Sequence, residues 1–151
     1  EFLQINSDDK NAMGTSSIDT SKAWREDVFN GINTRIMVPV IRMDELLENL
    51  NLGSTTIDVM KIDVESYTYE TLLGMGNRLR DVKVYHLETE RKYNRPGHRN
   101  NVQVASLMRG SGFFLVDVSY EWGYNIQDQV WINKNLAKTF PNVKEVSEQH
   151  S

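Results

Sequence analysis

The sequence contains no cysteine, and this absence excludes several kinds of site at once. Without cysteine, the 151 residues can form no disulfide, no zinc site with thiolate ligands and no cysteine nucleophile. Since nothing in the sequence requires an oxidising compartment, we expect the protein to be cytoplasmic.

Long apolar runs and a basic surplus are absent as well. No run approaches the ~20 apolar residues that a membrane-spanning helix needs, and the first residues have no signal-peptide pattern. The 17 basic residues are outnumbered by 21 acidic ones, which gives a formal net charge of −4. Because nucleic-acid-binding domains usually carry a basic surplus, we expect neither a membrane span nor a nucleic-acid partner.

The remaining composition is that of an ordinary globular domain, with 39% hydrophobic and 25% charged residues. The length predicts one domain, which we place at 1–138, followed by a polar tail at 139–151. Phe2 to Ile5 is a strand candidate that begins almost at residue 1, so we expect further sequence upstream. A short helix is predicted over Ser21 to Val28, and an edge strand over Ile36 to Ile41 because it contains Pro39.

From Asp44 onward, helical and strand patterns alternate, which predicts an α/β fold with a mostly parallel sheet. Asp44 is the expected cap of the first of these helices. The predicted order is a helix to Leu50, a strand over Ile57 to Asp63 covered on both faces, a helix through about Arg80, a strand over Val82 to Glu88, a helix over Val102 to Met108 capped by Asn100 or Asn101, and strands over Phe113 to Tyr120 and Gln129 to Asn133. No helix separates the last two strands, so we expect an antiparallel hairpin at the sheet edge.

Acidic residues lie at the carboxyl ends of two neighbouring strands, where α/β proteins bind their ligands. Asp63 and Glu65 are two residues apart, so on an extended strand both would point to the same side. Alternatively, Asp63 caps the next helix. His86, Glu88 and Glu90 share one face of the following strand, although a lone histidine within a strand is commonly a hydrogen-bonded core residue.

A basic loop over Arg91 to Arg99 follows this second strand. Its Arg91, Tyr93 and His98 are candidates for gripping the phosphates or hydroxyls of a nucleotide-sugar or glycan, and the alternative is a solvated basic loop. Trp122 and Tyr124 would stack on a sugar ring or cover the core. Converging carboxylates suit hard cations, whereas no HExxH or similar spacing supports zinc. We predict no metal site.

Several segments together resemble the FkbM family of S-adenosylmethionine-dependent methyltransferases. They are Val38-Pro-Val-Ile-Arg-Met-Asp44-Glu-Leu-Leu, Met60-Lys-Ile-Asp63-Val-Glu65, Leu72-Leu-Gly74 and His86-Leu-Glu88. The resemblance covers about Val38 to Glu90 and continues loosely through the closing hairpin. Ser66 replaces a family glycine, and Thr68 replaces a family glutamate.

The resemblance implies a Rossmann-like class I methyltransferase that uses S-adenosyl-L-methionine to methylate a hydroxyl, most often on a sugar or glycan. It assigns catalytic roles to Asp63, Glu65 and Glu88, and cofactor contacts to Ser17 and Asp63. The substrate-binding residues would be His86, Glu90, Arg91, Tyr93 and His98. The glycine-rich first strand of the family, which holds the cofactor, has no counterpart in the sequence. The chain therefore resembles the C-terminal two-thirds of the catalytic domain, without the N-terminal cofactor-binding strands.

Two other functions fit the same pattern of helices and strands. One is a non-catalytic binding or interaction domain that retains the fold. The other is a different Rossmann-like enzyme such as a glycosyltransferase, because strand and helix order alone says little about function. The sequence does not predict an oligomeric state.

Overall fold

The computed structural model describes residues 2–6, 33–91, 99–121, 125–135 and 144–146. Its first two strands, β1 (Phe2–Asn6) and β2 (Asn33–Met37), pair antiparallel as a two-stranded sheet of their own. The strand predicted to reach Ile41 is therefore wrong at its end, because β2 stops at Met37, two residues before Pro39, which has no backbone N–H for a ladder. The helix predicted over Ser21 to Val28 lies outside the described residues.

The main sheet has four strands within the described part of the chain. They are β3 (Ile57–Ile62), β4 (Val82–Glu90), β5 (Phe113–Glu121) and β6 (Ile126–Asn133), in the spatial order β3-β4-β6-β5. β3 and β4 are parallel, whereas β6 is antiparallel to both of its neighbours. β3, β4 and β5 thus run in one direction and β6 in the other. The described sheet is mixed, with one parallel and two antiparallel strand pairs, rather than mostly parallel as predicted.

The closing hairpin is antiparallel, as predicted, but its antiparallel strand does not lie at the edge. β6 is inserted between β4 and β5, and β5 forms the outer strand of the described sheet. Gln129 and Trp131 of β6 are fully buried, as suits an interior strand. The hairpin connection shows which strands pair, but a sequence pattern does not reveal which strand of the hairpin joins the sheet.

Helices follow the alternating pattern with two corrections. They are α1 (Met43–Asn49), α2 (Thr68–Gly74), a 3₁₀ helix (Gly76–Asp81) and α3 (Asn101–Gly110). The single helix predicted through Arg80 is divided at Gly76, whose φ of 52° is incompatible with a continuous right-handed helix. Asp44 lies in the first turn of α1 and is not its cap, because Arg42 occupies the N-cap position.

The N-terminus of α3 is capped by Asn100, one of the two residues predicted as its cap. The Asn100 side chain accepts a hydrogen bond from Gln103 N (3.3 Å), and the Gln103 side chain accepts one from Asn100 N (3.0 Å). This reciprocal capping box satisfies two backbone donors at the start of the helix. Asn101 is buried instead and bonds a side chain of β6.

The hydrophobic core lies between the three α-helices and one face of the main sheet. Its fully buried side chains include Leu72 of α2, Met108 of α3 and Tyr85 and Leu87 of β4. The other face is more open, and Val59 of β3 is 64% exposed. The prediction that β3 is covered on both faces is therefore wrong for the described part of the chain.

No helix among the described residues is long and apolar enough to cross a membrane.

Part of the segment predicted as a polar tail contacts the main sheet. Val146 N donates a hydrogen bond to Leu115 O of β5 (2.8 Å). This contact places a short part of that segment against the outer strand of the sheet.

Candidate active site

The chain leaves β3 through an acidic turn, which we define as Asp63 to Ser66. β3 ends at Ile62, and Glu65 and Ser66 have φ values of 48° and 75°. These left-handed conformations are unfavourable for residues other than glycine. The prediction that Asp63 and Glu65 share one side of an extended strand is wrong, because the backbone has already turned toward α2.

Asp63 faces solvent at the start of this turn. Its carboxylate lies 3.0 Å from Lys61 Nζ, and 43% of its side chain is exposed. α2 has Tyr67 at its N-cap position and no side-chain capping hydrogen bond. The alternative interpretation of Asp63 as a helix cap is therefore wrong, and its carboxylate remains accessible to a ligand.

The acidic turn is fastened to the end of β4 by two hydroxyl groups. The Ser66 hydroxyl donates a short hydrogen bond to Glu90 Oε1, and both side chains are buried. Thr68 Oγ1 donates to Glu88 O (2.7 Å). Glu90, a predicted substrate-binding residue, therefore has one carboxylate oxygen engaged in holding the turn.

Glu88 is the strongly perturbed acid of this region. Its half-buried side chain raises the pKa of the carboxyl to about 7, mainly by desolvation. The negative charges of neighbouring acids add to the effect, and these are Asp63, Glu65, Asp128 and Glu90. The carboxyl ends of β3 and β4 thus bring the three predicted catalytic acids into one electrostatic cluster, and Glu88 can gain or lose a proton near neutral pH.

His86 lies on the open face of the sheet, one pair of residues before Glu88 along β4. Its Nε2 is 3.1 Å from Asp128 Oδ1, and 39% of its side chain is exposed. The interpretation of His86 as a core histidine is therefore wrong. Lys61, its partner across the β3–β4 pair, has a raised pKa because of its hydrogen bond and ion pair with Asp63.

Asp128 is the residue of this cluster that the sequence did not single out. It lies directly across from Glu88 in the register of β4 and β6. The sequence pattern began the last strand at Gln129 and assigned the preceding residues to a connection. An acid at the start of a strand gives no indication of the residue it will face, because register across a sheet depends on tertiary packing.

Only the two ends of the basic loop, Arg91 and Arg99, lie within the described residues. Arg91 N donates to Asn125 O (2.8 Å), which ties the end of β4 to the start of β6. At the other end of the loop, the Arg99 guanidinium lies 5.6 Å from the centre of the Tyr69 ring. Other residues with predicted roles lie outside the described residues, and these are Ser17, Tyr93, His98, Trp122 and Tyr124.

An apolar cavity of about 530 Å³ adjoins the acidic turn. Its walls include Ile41, Met43, Val64 and Tyr67, and Val64 stands between the two acids of the turn. In the described part of the chain, no group of three or more His, Asp or Glu side chains is arranged to hold a metal ion. The cavity and the adjoining acidic turn place apolar and hydrogen-bonding surface side by side.

Comparison with known proteins identifies a family for the chain. The family model of the methyltransferase FkbM domain matches residues 1–124. No curated protein and no solved structure matches the chain. The matched residues include both strands whose ends carry Asp63 and Glu88, and they make up well over half of the sequence, so the chain belongs to the family of the methyltransferase FkbM domain.

Proposed function

We propose that the protein is an S-adenosylmethionine-dependent O-methyltransferase that acts on a hydroxyl group of a sugar or glycan. The single observation that carries the proposal is the meeting of Asp63 and Glu88 at the carboxyl ends of β3 and β4, where burial and neighbouring acids raise the pKa of Glu88 to about 7. A group that exchanges a proton near neutral pH is suited to assist a reaction at a hydroxyl. Family membership supports methyl transfer as the reaction class.

The chemistry of the acidic turn fits the methyl donor. S-adenosylmethionine carries a positive sulfonium and an amino group, and carboxylates interact favourably with both kinds of charge. Asp63, with 43% of its side chain exposed, is the residue that we assign to the amino group. The apolar cavity beside Val64 would receive an uncharged part of the bound molecules.

Glu88 receives the proton in the proposed reaction. S-adenosylmethionine, held through its amino group by Asp63, would supply an electrophilic methyl group. As the acceptor oxygen bonds to that methyl carbon, the carbon–sulfur bond would break and S-adenosylhomocysteine would leave. The acceptor O–H bond would also break, and the Glu88 carboxylate would accept the proton. Alignment of the oxygen with the methyl group supplies much of the rate, because it removes the entropic cost of bringing the reactants together.

The half-open face around Glu88 favours an acceptor with several hydroxyl groups. Lys61 and His86 present hydrogen-bonding side chains on this face, with 56% and 39% of each side chain exposed. Sugar hydroxyls both donate and accept hydrogen bonds, so they can pair with polar side chains of both strands. Arg91, Tyr93 and His98 remain our candidates for contacts with phosphate or hydroxyl groups of such an acceptor.

Isothermal titration calorimetry with S-adenosylmethionine tests cofactor binding, on this chain and on a version extended upstream. Transfer of a labelled methyl group to a panel of nucleotide-sugars and oligosaccharides then tests the reaction. We expect Glu88→Gln to reduce transfer by about 10²-fold or more, with Glu48→Gln on the exposed face of α1 as the matched control. Absence of cofactor binding by the extended protein would overturn the proposal in favour of a binding domain.

Nucleotide release from a nucleotide-sugar without methyl transfer would contradict the proposal in another way. That result would favour a glycosyltransferase. It is measured in the same reactions by chromatography of the nucleotide products.

A further inference from the structure

The open face of the sheet carries a contact that the proposed reaction has not yet used. His86 of β4 and Asp128 of β6 approach within 3.1 Å, on the strand face where Glu88 also lies. Residues directly paired across antiparallel strands place their side chains on the same face, so Asp128 and Glu88 are neighbours. One carboxylate of β6 thus faces the side chains of both His86 and Glu88 of β4.

Asp128 is held in this place by the opposite face of its own strand. Its chain neighbours Gln127 and Gln129 are 3% and 0% exposed. Gln129 Nε2 donates to Gln127 Oε1 (3.0 Å), and Gln129 Oε1 accepts from Trp131 Nε1 (2.9 Å). Asn101 of α3 also donates to Gln127 Oε1 (3.0 Å).

This buried set of hydrogen bonds, the β6 ladder (Asn101, Gln127, Gln129 and Trp131), fixes the register of the strand. A slip by one residue would turn Asp128 into the core and expose the ladder, leaving several polar groups without partners. The strand therefore pairs with β4 in one register only, in which Asp128 lies opposite Glu88. Its side chain is 21% exposed, so solvent screens its charge only in part.

We propose that Asp128 is a positioning residue of the active site, which orients the imidazole of His86 and faces the carboxyl of Glu88 from the neighbouring strand. The inference rests on the proposed function and extends the site from β3 and β4 onto β6. The contact with Asp128 engages Nε2 of His86, which leaves the Nδ1 atom for an interaction with another group. The negative charge of Asp128 favours the protonated form of Glu88.

Other charges also act on the same carboxyl, and the experiment must separate them. From the elements around Glu88 these are Lys61 of β3, Asp63 and Glu65 of the acidic turn, and His86 and Glu90 of β4. A substitution at Asp128 leaves all five in place. Its effect on Glu88 therefore reports the Asp128 carboxylate, acting directly and through the His86 side chain that it contacts.

The test compares Asp128→Asn with Asp117→Asn, which changes a carboxylate on β5 that bonds its own neighbour, Val118 N. Carboxyl-carbon NMR follows the titration of Glu88, and the pH dependence of kcat/KM follows the reaction with S-adenosylmethionine and the best acceptor of the panel. In Asp128→Asn, we expect the Glu88 midpoint and the acidic limb of kcat/KM to move to lower pH by about half to one unit. We also expect about a tenfold lower kcat at pH 8.5, with little change in KM.

The two readouts distinguish the outcomes. A Glu88 midpoint and a pH profile that remain at their wild-type positions in Asp128→Asn, or that move equally in Asp117→Asn, would overturn the role of Asp128. A shifted NMR midpoint in a protein that transfers no methyl group would confirm the coupling of Asp128 to Glu88 and would refute the proposed function instead. Far-UV circular dichroism verifies that both variants remain folded.

Discussion

The two faces of β4 and β6 differ in what they contribute to the protein. On the helix-covered face, Tyr85, Leu87 and Trp131 are completely buried, and the polar side chains among them are hydrogen-bonded. On the open face, His86 and Asp128 form a partly exposed contact beside Glu88. One face therefore supplies most of the buried core, while the other holds the ionisable groups of the proposed site.

The largest expected effect of a single substitution lies on the covered face. Trp131→Ala should lower the free energy of unfolding by about 3–5 kcal/mol, because it leaves a large cavity and removes the indole donor to Gln129. Denaturant unfolding measures this loss. Val59→Ala on the open face of β3, where the side chain is 64% exposed, should change stability by only ~0.5 kcal/mol. Equal losses in the two variants would contradict the division between faces.

The second largest expected loss of stability lies at Gly76, where the helical layer over the sheet is divided between α2 and the 3₁₀ helix. Gly76→Ala should cost about 2 kcal/mol, because Gly76 has a φ of 52° and an added Cβ would lie 2.5 Å from Asp44 Oδ2. Thermal unfolding provides the measurement. The control Gly110→Ala meets no atom within 4 Å and should be neutral or slightly stabilising. If Gly76→Ala is as harmless as its control, the left-handed turn is not required for packing.

The next prediction concerns the acidic turn, in which Glu65 and Ser66 have left-handed backbone conformations. Ser66→Ala should lower stability by about 1–2 kcal/mol, because buried Glu90 loses its hydroxyl donor while the left-handed backbone remains. Ser66→Gly should recover about 1 kcal/mol of that loss, since glycine adopts a φ of 75° without strain. Urea unfolding of both variants checks the order. A less stable glycine variant would show that the backbone conformation is not under strain.

The smallest expected effect is a pH dependence of stability from the open face. Folding raises the pKa of Glu88 from 4.5 to about 7, so the unfolded state releases this proton first as the pH rises. Glu88 therefore favours the folded state less as the pH increases from about 4.5 to about 7. Glu88→Gln should be more stable than the wild type by ~1 kcal/mol at pH 8, a value reduced for the partial exposure of the side chain, and equally stable at pH 4.

Unfolding curves of the wild type and Glu88→Gln at several pH values check this sign. A stability difference that is independent of pH between 4 and 8 would show that Glu88 is not perturbed in the folded state. Glu48→Gln again serves as the control for loss of a glutamate charge.

The sequence predicted the order of the helices and strands and the ends of the parallel strands well. Parallel strands place their carboxyl ends at one edge, so Asp63 and Glu88 could be expected to meet before the fold was known. The helix start at Asn100 was predictable because its cap and Gln103 are local in sequence. The family resemblance rested on the same local segments, and the family match confirmed it.

The remainder depended on contacts between segments distant in sequence. The position of β6 inside the sheet, and hence the pairing of Asp128 with Glu88, follows from packing of Trp131 and its ladder against the helices. The left-handed turn at Glu65 and Ser66 has no local signal, because neither residue type favours that conformation. The exposure of His86 likewise depends on what covers the other side of the sheet.

The titration of Glu88 in the wild-type protein tests the central claim most directly. NMR detection of its side-chain carboxyl carbon between pH 3 and 9 gives the midpoint without requiring a substrate. We expect a midpoint near 7, because burial and neighbouring acids raise the pKa of this carboxyl. A midpoint near the ordinary glutamate value of about 4.3 would contradict it and would remove Glu88 as the proton acceptor of the proposed site.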